Sequence, residues 1–286
     1  MKKSKAKTNK THVVLVLDTS GSMDDDSMTP NRRAATIVGF NEQVQQIRLN
    51  SKDVETYVSL ETFNGNVFEH FWNKPGAEIV ESNLDDYKPT GSTAMRDAVG
   101  YVIDKLQSTT DSSDENTAYL VIVMSDGWEN ASEHFTAGAL KEMIEALKKT
   151  NRWTFTYMGC DEKYLAVVAK ETGIPLDNMA KYSTSTKGTM RAACANTGKT
   201  AEYFAARAVG GFKTSNFYSD ECGAVADYSD SGVDKSFVMG CGIDSEGDPD
   251  DASVCESKEP EPVFDTTKLA KYSNVFGTGK SVAWEK

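Results

Sequence analysis

Residues 12–17, His-Val-Val-Leu-Val-Leu, are a short aliphatic run between polar flanks. Consecutive β-branched and aliphatic residues without alternation mark a strand covered on both faces, as in a parallel sheet. The same signature returns at 118–124 (AYLVIVM) and, with aromatics, at 152–158 (RWTFTYM). Segments 55–63 and 67–72 instead alternate apolar and polar residues. Asn64-Gly65-Asn66 separates them, so they predict an antiparallel hairpin. The helical period appears after Thr29-Pro30, a capping residue followed by proline at the first helical position. From there Ile37, Phe40, Val44 and Ile47 recur on one face, to about Leu49. Further helices are expected over about 94–107, 137–149, 162–172 and 187–208, and a short edge strand at about 178–183.

Strands alternating with helices imply an α/β fold. The expected architecture is Rossmann-like: a doubly wound, mostly parallel six-stranded sheet with one antiparallel edge strand and helices on both faces. Three stretches divide the chain: a basic N-terminal arm over 1–10, a folded domain over 11–210, and an irregular acidic extension over 211–286. Residues 217–265 hold fourteen acids against two bases, Lys235 and Lys258, so this stretch accounts for the whole net charge of −12. Such a stretch is too poor in apolar side chains to offset chain entropy, and loose order is expected there. Beyond it, Tyr272, Phe276 and Trp284 predict a small tail that docks on the domain.

The acidic balance argues against nucleic acid as a partner, because phosphate contacts need a basic surface. The apolar run behind the basic arm is only Val13 to Leu17, too short for a secretory core or a membrane span. Five cysteines at irregular spacing, with no C-x-x-C pair, suggest neither a disulfide framework nor a zinc site.

The chemistry lies at strand ends. Asp18-Thr19-Ser20-Gly21-Ser22 follows the first strand. Thr90-Gly91-Ser92-Thr93 precedes a helix, and Ser125-Asp126-Gly127 follows the strand 118–124. In open α/β sheets, ligands bind beyond the carboxyl ends of strands where the winding reverses. Asp18 and Asp126 are expected to face each other across that crevice. Carboxylates and hydroxyls are hard donors suited to Mg²⁺, Mn²⁺ or Ca²⁺. The alternation D-x-S-x-S turns three oxygens to one point if the loop is extended. Taken singly, the same loop also reads as a turn of self-hydrogen-bonding residues.

Together these segments, "VVLVLDTSGSM", "TGST" and "VMSDG", resemble the metal-ion-dependent adhesion site (MIDAS) of the von Willebrand factor A (vWA) family. "SDGWENAS", "WTFTYMG" and "STKGTMRAA" resemble stand-alone vWA proteins of bacteria and phages; the likeness covers about 10–210. The resemblance implies hydroxyl ligands from Ser20, Ser22 and Thr93, with Asp18 and Asp126 binding directly or through water. It implies a protein-binding module in which bound Mg²⁺ grips an Asp or Glu carboxylate of a partner. Met23-Asp24-Asp25-Asp26 resembles the second metal site of integrin β subunits, which would add Asp25 and Asp26; the alternative is a solvated acidic loop.

Other motifs fail on spacing. "ANTGKT" at 195–200 lacks the first glycine of a phosphate-binding loop, and "DSEGDPDD" at 244–251 lacks EF-hand spacing. No base, nucleophile or phosphate-gripping cluster accompanies the metal motif, so no enzymatic activity is expected. The alternatives are a phage virion or assembly component whose metal merely staples loops and, behind it, a Mg²⁺-dependent hydrolase. The expected location is the bacterial cytoplasm or a phage particle. A tail acid within 217–265 reaching the metal site of its own or another copy would give self-association.

Overall fold

The computed structural model of the 286-residue chain describes residues 9–24, 32–81, 87–183, 186–220, 223–229 and 280–284. Its centre is β1 (Lys10–Asp18), paired in parallel with β2 (Glu55–Phe63) on one side and β4 (Thr117–Met124) on the other. Outward from β4 run β5 (Trp153–Gly159) and β6 (Met179–Lys181), both parallel. Outward from β2, the hairpin strand β3 (Val67–Pro75) is antiparallel. The chain leaves β1 for β2 in one direction and returns across it to β4. The winding therefore reverses between β1 and β4, where the sequence places it.

Helix α1 (Arg32–Asn50) links β1 to β2 and packs on α5 (Thr186–Ala208). The sequence 195–200 lies inside α5. Helices α2 (Met95–Gln107), α3 (Ala137–Lys148) and α4 (Glu162–Thr172) cover the other face. Along β1 the side chains divide by the two-residue period of a strand. Val13, Leu15 and Leu17 pack with Ile37, Phe40, Val44 and Phe204, whereas Val14 and Val16 pack with Val99, Val102 and Ile103. Both faces are covered, which is why the run is unbroken by polar residues. Each fully buried aliphatic chain contributes about 1.5–3 kcal/mol relative to exposure.

One expectation, the strand count, needs correction. Among the described residues the sheet has eight strands rather than six, because two-residue strands β7 (Ala226–Asp227) and β8 (Lys280–Ser281) join its edges, in the order β7-β6-β5-β4-β1-β2-β3-β8. The edge beside β3 is thus β8, antiparallel to it.

Part of the stretch 211–286 packs against the folded domain. Phe217, Tyr218 and Tyr228 are buried in the core, and Asp177 accepts the Tyr218 and Ser219 amides at its carbonyl. Three aromatics outweigh the local charge, so 217–220 and 223–229 are packed. Residues 230–279 lie outside the described residues, and with them Tyr272 and Phe276. Trp284 docks as expected, stacked on His134 with ring centroids 4.0 Å apart.

The polar positions of β2 are covered as well. Ser59 and Glu61 are buried, because α2 packs on β2. The Thr29-Pro30 cap lies outside the described residues. Among the described residues, no helix is long and apolar enough to cross a membrane.

Candidate metal centre

Asp18 ends β1 and is fully buried. Its Oδ1 accepts the Ser20 amide at 2.6 Å and its Oδ2 accepts the Ser125 hydroxyl. Its backbone carbonyl accepts the Tyr87 hydroxyl. Burial pushes the Asp18 carboxyl up to about 6. Hydrogen bonds from Ser125 and Ser20 pull it down, and the charge of Asp126 pushes it further up. A group held this way, with a like charge nearby, is one that gains from a cation.

The first loop is not extended throughout. Ser20 has extended backbone angles (φ −68°, ψ 164°), but Gly21–Met23 form a single 3₁₀ turn. That turn brings the hydroxyls of Ser20 and Ser22 to 3.1 Å, and Ser22 donates to Asp126 Oδ1 at 2.6 Å. The link between the first and third segments is therefore direct. Asp18 lies beneath, joined to the third segment through Ser125.

The second segment is stitched to the first by backbone. The Gly21 amide donates to the Gly91 carbonyl at 3.0 Å, and the Thr90 amide to the Thr19 carbonyl at 2.7 Å. Gly91 sits at φ +80°, a left-handed conformation that side chains with a Cβ resist. Thr93, 3% exposed, then precedes α2.

The three segments meet at Gly127. A Cβ placed on Gly127 would lie 3.0 Å from Thr93 Oγ1, 3.4 Å from Ser22 Oγ and 3.5 Å from Ser20 Oγ. Three hydroxyls thus surround one small space that glycine keeps open, with Asp126 beside it and Asp18 below. All are hard oxygen donors, the class that Mg²⁺ and Mn²⁺ take. No group of three or more His, Cys, Asp and Glu side chains that could hold an ion occurs among the described residues. The donor set is dominated by hydroxyls, and it fits a hard divalent cation. Asp24 is exposed. Asp25 and Asp26, the expected second site, lie outside the described residues.

The residues that position Thr93 were missed in the sequence. Asn130 Oδ1 accepts the Thr93 amide at 2.9 Å, while the Asn130 and Ala131 amides donate to the Thr93 carbonyl at 3.0 and 3.1 Å. The Glu129 carboxylate accepts the amides of Arg96, Ala131 and Ser132 and the Ser132 hydroxyl. Asp97 accepts the amides of Glu133, His134 and Phe135 at 2.8–3.0 Å. Loop 129–135 is thereby wound on the N-terminus of α2, where free amides and the helix dipole favour carboxylates. The signal was present in "SDGWENAS", but carboxylates that cap a distant helix leave no periodic trace. The histidines are engaged elsewhere: His12 with Asp111, His70 with Thr62, His134 against Trp284.

The profile of the von Willebrand factor type A domain matches residues 12–187, well over half of the chain. The chain belongs to this family. Its members typically bind a divalent metal and mediate contacts between proteins. A search of curated proteins finds no match.

Among solved structures, the chain is similar to proximal thread matrix protein 1 from the mussel byssus with a zinc-occupied MIDAS motif (17% identity, TM-score 0.45, covering 63% of this chain and 42% of that one). It is similar to the ArnB paralog VWA2 from Sulfolobus acidocaldarius (16% identity, TM-score 0.42, 64% and 43%). It is also similar to the PilB minor pilin from Streptococcus sanguinis (12% identity, TM-score 0.48, 70% and 63%). The chain thus spans less than half the length of the first two.

Proposed function

We propose that this chain is a non-catalytic, metal-dependent protein-binding module. Asp18, Ser20, Ser22, Thr93 and Asp126 form an intact MIDAS that holds one divalent cation, Mg²⁺ before Mn²⁺ or Ca²⁺. When bound, the cation supplies a coordination position for a carboxylate oxygen of a partner protein. The observation that carries the reading is the convergence of the three hydroxyls on the space beside Gly127. Neutral hydroxyls leave most of the charge of a cation uncompensated, and an incoming Asp or Glu then gains by displacing water. Asp18 and Asp126 hold the ion in place, and Ser125 and the Ser20 amide hold Asp18.

The reading assigns no bond chemistry to the site, because no base, nucleophile or phosphate-gripping cluster accompanies the metal motif in the sequence. The alternative, a virion or assembly component whose metal staples loops, has a specific observation against it. The loops are already joined by the Gly21–Gly91 and Thr90–Thr19 backbone bonds. A bacterial or phage origin, proposed from the sequence resemblance, fits either reading.

The test is a pull-down with the immobilised full chain from a bacterial lysate in Mg²⁺ and in EDTA, beside Asp126→Ala. A partner retained only by wild type in Mg²⁺ is the expected result. A partner retained equally in EDTA and by the variant would overturn the proposal.

A further inference from the structure

Trp128 lies two residues beyond Asp126 and is 51% exposed. The other exposed large apolar side chains among the described residues are Leu49, Val80, Val209 and Phe212. All four sit toward the amino ends of the strands. Arg48, one residue before Leu49, bonds the carbonyl of Ile79, beside Val80. Arg207, just before Val209, bonds the carbonyls of Lys10 and Asn116, where β1 and β4 begin. Trp128 is therefore the one such side chain at the carboxyl end of the sheet, where the candidate metal centre lies.

The ring is held rather than loose. It packs on Tyr164, centroids 4.5 Å apart and planes tilted by 33°. Tyr164 is 4% exposed, and its hydroxyl accepts the Glu129 amide at 2.8 Å, fixing the backbone just after Trp128. On the other side, the Gly127 amide donates to Ser125 Oγ at 3.2 Å. An aromatic ring already ordered on both flanks loses little freedom when a partner covers it. Tryptophans so placed at the centre of an interface are frequent energetic anchors.

From this geometry we infer that Trp128 is the specificity platform of the site, covered by an apolar side chain of the partner that lies one or two residues from the metal-binding acid. The inference rests on the function proposed above and deepens it by naming the ligand class: a protein segment carrying Asp or Glu beside a large apolar residue. The spacing follows from chain geometry. The Cα atoms of residues 126 and 128 are at most about 7 Å apart. In an extended ligand, side chains two residues apart project from the same face at about that distance. An acid at the metal thus sets its second neighbour over the indole.

Random seven-residue peptides on beads, selected on the immobilised full chain in Mg²⁺ and eluted with EDTA, test this. Wild type should enrich Asp or Glu together with a large apolar residue one or two positions away. Trp128→Ala should still enrich the acid, with the apolar preference reduced to library background and affinity for wild-type-selected peptides about tenfold weaker. Trp128→Phe should keep the preference, and thermal unfolding of both variants reports their fold. Acidic peptides without an apolar preference in wild type, or the same preference in Trp128→Ala, overturn the platform while leaving the metal site standing. An EDTA eluate without acidic peptides contradicts the proposed function and the platform together.

Discussion

Asn130 clasps Thr93 from both sides of its peptide unit: the side-chain oxygen of Asn130 accepts the Thr93 amide at 2.9 Å, and its own amide donates to the Thr93 carbonyl at 3.0 Å. Thr93 is the candidate ligand farthest in sequence from either acid, and this clasp fixes where its hydroxyl stands. Asn130→Ala should lower Mg²⁺ affinity by about 10–100-fold, the usual cost of losing a residue that orients a ligand. It should also cost about 1–2 kcal/mol of stability, read by urea unfolding. Asn130→Asp keeps the acceptor and should lose less. An alanine variant that binds Mg²⁺ as wild type does would remove Asn130 from the account.

Gly127→Ala probes the space between the hydroxyls. The new Cβ would stand 3.0 Å from Thr93 Oγ1, tighter than ordinary contact, and 3.4–3.5 Å from the two serine hydroxyls. A methyl there displaces an ion or spreads its donors. Calorimetric titration with Mn²⁺ should show at least a tenfold loss, with an unfolding transition close to that of wild type. Unchanged Mn²⁺ affinity would mean that the cation sits elsewhere.

Asp18 sets a pH dependence. Its carboxyl is raised from 3.8 to about 6, first by burial. In the metal-free protein the folded state therefore holds a proton that the unfolded chain has released. Stability from this group is complete below about 4 and is lost as pH rises through 6, a span worth roughly 3 kcal/mol. Metal binding runs the opposite way, since it needs the carboxylate, and should weaken as pH falls below about 6. Asp18→Asn should flatten the stability profile of the metal-free protein between pH 4 and 7 and abolish Mg²⁺ binding. A wild-type Mg²⁺ affinity that is constant from pH 7 to 5 would contradict this.

Glu61 makes a separate prediction about stability. It is fully buried on β2, and neither carboxylate oxygen has a hydrogen-bond partner. Burial raises its carboxyl to about 8, with Lys105 pulling it down. The sign is that of a raised acid: its contribution is complete below the unfolded value of 4.5 and lost as pH climbs through 8. Glu61→Met should thus stabilise the protein at pH 8–9, by an amount of order a few kcal/mol, and by less at pH 4, where it replaces only a neutral, unpaired carboxyl. Equal unfolding midpoints of variant and wild type at pH 9 would refute it.

Much of this was legible in the residues. The unbroken runs at β1, β4 and β5 announce strands buried on both faces, and Ile37, Phe40, Val44 and Ile47 announce the buried stripe of α1. Other features were hidden for identifiable reasons. Glu61 occupies a polar position in an alternating strand, and alternation alone does not say whether the second face will be covered. Tyr218 and Tyr228 lie among acids, so average composition masks the few aromatics that tie residues 217–220 and 223–229 to the core. At the candidate centre, Asp18, Ser20, Ser22, Thr93 and Asp126 come together from three segments, as their places at strand ends suggest. The 3₁₀ turn that brings Ser22 to Asp126 is set by backbone bonds to Gly91 and Phe63, which no local pattern encodes.

The central claim is that the hydroxyls of Ser20, Ser22 and Thr93, with Asp18 and Asp126, hold one divalent cation. Anomalous diffraction from crystals of the full chain grown with Mn²⁺ addresses it without reference to any partner. A single anomalous peak among those three hydroxyls, beside Gly127 and absent from Asp126→Ala crystals, is the predicted result. No peak there at saturating Mn²⁺, or a peak that persists unchanged in Asp126→Ala, would contradict it.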